Sequence, residues 1–140
     1  MDLLEEMSPE EALEKINIID QNYVSMMSNV SSLNDFSSKY DVVQEGMARE
    51  TTNGNALRAL KISLVSTMKS CRYDDVRVQC VICLLSNFKE DGLVIADIIS
   101  FMRSSEYRVA EATGEALGLG RDLGCAYREL ARIFKEKIGP

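Results

Sequence analysis

The residues best equipped for chemistry in this chain are its four cysteines, and two of them form a C-x-x-C, Cys80-Val81-Ile82-Cys83. Three structures use that spacing. At the start of a helix it makes a redox pair, because the helix dipole stabilises a thiolate there. With two further ligands it makes a zinc site. In the middle of a helix it is a pair of small, apolar residues on one face. Here the pair lies in the middle of an apolar run with Val81, Ile82, Leu84 and Leu85, and Cys71 and Cys125 stand at no partner spacing from it. Burial raises a thiol pKa and makes it inert. The pattern therefore predicts core packing, with no metal, no redox role and no cofactor.

Other chemistry is limited by composition. The chain has no histidine, which removes Ser-His and Cys-His nucleophile pairs and imidazole acid–base catalysis. The glycines of "GLGRDLG", Gly118, Gly120 and Gly124, lack the G-x-G-x-x-G spacing of a dinucleotide site and do not follow a strand. A helix end and a tight turn account for Gly118 and Gly120, and Asp122 suits the cap of a last helix. The expectation is a protein that is not an enzyme.

The carboxylates are the remaining candidates. Residues 1–50 hold 11 acidic and 3 basic side chains, and the other 90 hold 11 and 13, giving the overall −6. An acidic front end argues against nucleic acid, which calls for a basic patch, and fits a basic protein partner. No apolar run reaches the roughly 18 residues of a membrane span. The start, "MDLLEEMSPEEALEK", lacks a signal peptide's basic and apolar regions. No membrane role and a cytoplasmic location are expected, with reduced thiols.

Helical spacing positions these groups. Ser8-Pro9-Glu10-Glu11 is a capping box with proline at the first helical position, opening a helix over 8–30. "SNVSSLNDFSSKY" reads as a break with room for a short helical turn, "DVVQEGMARE" as a helix and "TTNGN" as a loop, with Asn55 placed to cap the helix of Ala56, Leu57, Leu60, Leu64, Val65 and Met68. "VRVQCVICLL" (76–85) aligns with "VAEATGEALG" (109–118) at an offset of 33: Val76 falls on Val109, Cys80 on Thr113, Cys83 on Ala116 and Leu84 on Leu117. A second helical stretch follows each, "LVIADIISFM" (93–102) and "LGCAYRELARIF" (123–134). Repeats of this length are the mark of stacked helical arrays. "VRVQCVICLL" alone has strand-like β-branching, but its counterpart does not, so both segments are read as helices. The first is apolar nearly all round, which suits a layer covered on both sides.

The Val-Arg-x-x-small-x-x-small-Leu pattern of Val76, Arg77, Cys80, Cys83 and Leu84 resembles the HEAT-like repeat family. The second copy fits in Val109, Ala112, Ala116, Leu117 and Gly118, with its arginine, Arg108, one place early. The resemblance implies an all-α, HEAT-like helical array of about seven helices in one domain over 1–140: the helix at 8–30, a divergent pair at 36–70, and pairs at 74–103 and 105–137. It also implies that second helices line an inner surface, with Asp97, Arg103, Arg121, Arg128 and Arg132 on or near it. Small acidic helical proteins of this kind resemble immunity proteins, which block a toxin domain. That likeness implies a non-enzymatic inhibitor occluding a basic, nuclease-type toxin with Glu10, Glu11, Glu14, Asp35, Asp41 and Glu45. Asp97, Glu111, Glu115 and Asp122 are further partner-binding candidates. The alternative is a scaffold or adaptor subunit that holds a partner's helix or tail.

Overall fold

A computed structural model describes residues 25–27, 29–49 and 54–138. The described residues are all-helical, with no strand. After the helical residues 25–27 come six helices: α1 (Leu33–Arg49), α2 (Gly54–Ser70), α3 (Asp74–Phe88), α4 (Gly92–Ser104), α5 (Tyr107–Ala116) and α6 (Leu123–Ile138). The capping box at Ser8 and most of the helix expected over 8–30 lie outside the described residues.

The stretch expected as a break is where α1 begins. Ser32 Oγ accepts from the N–H of Asp35 (3.0 Å), and the Asp35 carboxylate accepts from the N–H of Ser31 (2.9 Å). The serines therefore satisfy the donors that a helix start leaves open, and Phe36 and Val43 continue the buried face. Asn55 lies inside the first turn of α2 instead of capping it, because the helix already runs from Gly54.

The helices form two layers. α3 packs on both α1 and α5, while α4 packs on both α2 and α6, and the two layers meet most extensively at α2 against α3. The apolar surround of α3 has this cause: it touches four other helices. Val76, Cys80, Val81, Cys83 and Leu84 of α3 are buried, with Leu85 and Phe88 half-buried against the same core.

Polar bonds fix the spacing between elements. Arg77 Nε donates to the last-turn carbonyl of Met68 (2.8 Å), and its guanidinium lies 4.8 Å from the centre of the Phe101 ring. One arginine thus closes an orphan helix-end carbonyl and covers a core aromatic. Asp91 caps α4, Oδ1 accepting from the N–H of Leu93 (3.0 Å) and Val94 (3.4 Å). Its Oδ2 pairs with Lys61 Nζ of α2 at 2.8 Å, both side chains being only about 15% exposed. α5 ends as a Schellman turn: Leu119 N–H donates to Gly114 O (2.9 Å) and Gly118 N–H to Glu115 O (3.0 Å). Gly118, at φ 77°, supplies the left-handed residue this turn needs.

Candidate functional site

The cysteine pair is inside α3, well past its first turn. Cys80 is fully buried and Cys83 nearly so. Burial pushes the Cys80 thiol well above the ordinary range, the neighbouring thiols Cys83 and Cys71 acting in the same direction, and it raises the Cys83 thiol too. A thiol so placed keeps its proton and makes a poor nucleophile or ligand. Among the described residues no group of three or more His, Cys, Asp or Glu could hold a metal. Tyr40 of α1 lies beside Cys83 and accepts from Asn87 Nδ2 (2.8 Å). Burial, then its electrostatic coupling to the Cys83 thiol, raises its hydroxyl to about 12. These groups join α1 to α3 as packing.

The predicted carboxylates are spread over both layers. Asp35, Asp41 and Glu45 are on α1, Glu111 and Glu115 on α5, Asp97 on α4, and Asp122 just before α6. Several are engaged within the fold. The Asp35 carboxyl is held below the ordinary range by the Ser31 N–H and by Lys39, whose Nζ is 3.0 Å away. Asp97 pairs with Lys69 of α2 (3.4 Å) and Glu115 with Arg121 (2.9 Å). Asp122 Oδ1 accepts from the N–H of Cys125 (3.1 Å) at the start of α6. Asp41 and Glu45 are exposed one helical turn apart, beside Val42, itself half exposed. Glu111 is half-buried on α5. Glu10, Glu11 and Glu14 lie outside the described residues.

The arginines separate more sharply. Arg121 binds Glu115, Arg132 bridges Glu129 and Glu136, and Arg128 reaches the Cys125 sulfur at 3.1 Å. Arg103, in the last turn of α4, has no hydrogen bond or ion pair among the described residues. It borders an open groove of about 490 Å³ between α4 and α6, lined also by Ala96, Ile99, Ser100, Ser104 and Phe134.

No protein-family model, curated protein or solved structure matches this chain. Ala96, Ile99, Ser100 and Arg103 follow the i, i+3, i+4, i+7 rule of one helix face. That stripe lies beside the buried one of Val94, Ile95, Ile98, Phe101 and Met102. The sequence carries this signal, but it was masked by the stronger core stripe, and only Arg103 of the groove was singled out. Phe134 belongs to the groove through packing of α6 on α4, which no local pattern reveals.

Proposed function

We propose that this chain is a non-catalytic, HEAT-like protein-binding module, acting in the cytoplasm as a scaffold or adaptor that holds a helix or tail of a partner. The observation that carries the reading is the open α4–α6 groove. It combines half-buried apolar side chains, Ile99 and Phe134, with an arginine that has no partner among the described residues. Apolar anchors with a few directing polar groups are what helix-in-groove recognition uses. The layering supports the repeat: the aligned helices α3 and α5 share one layer, and α4 and α6, which follow them, share the other. Val76 and Val109 are both buried, as are Cys80 and Thr113.

A second reading has its own support in the face of α1. Exposed Val42 lies between Asp41 and Glu45 on a chain of net charge −6. An immunity-type inhibitor would press such a face onto a basic toxin domain, with association speeded by opposite charge and slowed by salt.

Site-specific photocrosslinking in cells separates the two. A crosslinking amino acid at Ser100 captures the partner if the groove binds, while one at Asp41 captures it if the acidic face does. Capture from Asp41 alone overturns the groove reading, and capture from neither position overturns both.

A further inference from the structure

The charge of the α4–α6 groove identifies the kind of helix it accepts. Among its described lining residues one side chain is charged, and that is positive, on a protein that is acidic overall. The acids of the two helices are occupied elsewhere: Asp97 by Lys69 across on α2, and Glu129 and Glu136 by Arg132 along α6. Of the described arginine side chains, Arg103 is the only one with neither a hydrogen bond nor an ion pair. The hydroxyl of Ser100, exposed one turn before it, likewise makes no hydrogen bond among the described residues. An apolar strip thus ends in a planar cation and a hydroxyl, both open to an incoming group.

We propose that this groove binds an acidic amphipathic helix of a partner protein, with an apolar side chain against Ile99 and Phe134 and a carboxylate on Arg103. Arg103 pairs with a carboxylate through two parallel N–H bonds, a geometry that lysine cannot supply. Ser100 donates its hydroxyl to the same carboxylate. The carboxylate lies one helical turn from the apolar anchor in the partner, as Arg103 does from Ile99 here. The proposal rests on the reading of the chain as a protein-binding module and specifies the chemistry of its partner.

The test uses the full chain, nitrogen-15 labelled, and two capped synthetic helices, each roughly 16 residues long so as to hold helical structure. Both carry leucine along one face. One is flanked by glutamate and the other by lysine. The glutamate helix is expected to shift the amide signals of α4 and α6, and the lysine helix to leave them in place. Arg103→Glu weakens the glutamate helix by about tenfold and lets the lysine helix bind. This variant is expected to fold with only a small loss of stability for an acid in the last helical turn, since the exposed Arg103 side chain makes no hydrogen bond or ion pair among the described residues. Equal shifts from both helices overturn the charge assignment and leave the groove as a protein-binding site. Shifts confined to α1, α3 and α5 overturn the groove as well. Groove shifts that grow with protein concentration and no peptide assign the site to a second copy and overturn the proposal. No shift with either helix also overturns it, whereas a crosslink through Ser100 in cells would then still uphold the broader module.

Discussion

Asp91 holds two joints of the array at once, so removing it probes both the α4 cap and the α2–α4 contact. Its Oδ1 caps α4 and its Oδ2 meets Lys61 of α2 at 2.8 Å, with the lysine side chain only 14% exposed. Losing a cap of this kind costs about 1 kcal/mol. Losing the charge-assisted bond in a mostly buried site adds about 1–2 kcal/mol. A wholly buried pair broken on one side costs more, about 3–5 kcal/mol, but Lys61 keeps a further interaction that limits the loss. Asp91→Ala should therefore destabilise by about 2–3 kcal/mol, and Asp91→Asn, which still caps, by about 1–2 kcal/mol. At near 4 °C per kcal/mol for a chain of this size, Tm falls by about 8–12 °C for the alanine variant. Urea titration followed by circular dichroism measures both variants, and adding Lys61→Met closes a double-mutant cycle whose coupling should be about 1–2 kcal/mol. An alanine variant within about 0.5 kcal/mol of the parent, the usual span for an inert surface change, would refute the argument. So would equal losses for alanine and asparagine, because the cap would then contribute nothing.

Further outcomes follow from the buried thiols and the tight end of α5. Cys80 and Cys83 keep their protons in the fold but lose them in the unfolded chain above the ordinary thiol value of 9.0. A folded-state pKa raised in this way means that the unfolded state sheds protons first, so stability is full below pH 9 and falls as pH rises above it. Tyr40, raised from 10.0 to about 12, extends the loss through that range. Replacing both cysteines by alanine should cost about 1–3 kcal/mol at pH 7, flatten the alkaline loss and leave partner binding unchanged; lost binding at intact stability would count against packing. Gly114→Ala should cost about 1–3 kcal/mol despite better helix propensity, because the new Cβ would sit 2.9 Å from the backbone oxygen of Gly120; thermal melting detects it, and a stabilised variant would show the loop to be elsewhere.

Much of the helical architecture could be read from the sequence, since a helix with a buried face must repeat its apolar residues every three or four positions. That rule located α2 through α6 to within a few residues. It also explained Cys80 and Cys83 as packing residues, because apolar neighbours on all sides leave a mid-helix thiol nowhere else to be. It misread the start of α1, where serine and asparagine signal a turn by composition but act as a cap by geometry. The candidate site was much less legible. Carboxylates were nominated by charge alone, yet whether an acid is open to a partner depends on which cation folding brings beside it. Asp97 meets Lys69 across 28 positions of chain (97 − 69), and Asp91 meets Lys61 across 30. The same holds for Arg103 and Phe134, whose shared groove exists only because α6 returns onto α4. Sequence alone determined which stretches are helices and which of their faces seek burial, because those are properties of neighbours along the chain. The tertiary structure decided which of the remaining charges are neutralised, because pairs such as Asp91–Lys61 and Asp97–Lys69 join residues distant in sequence and near in space.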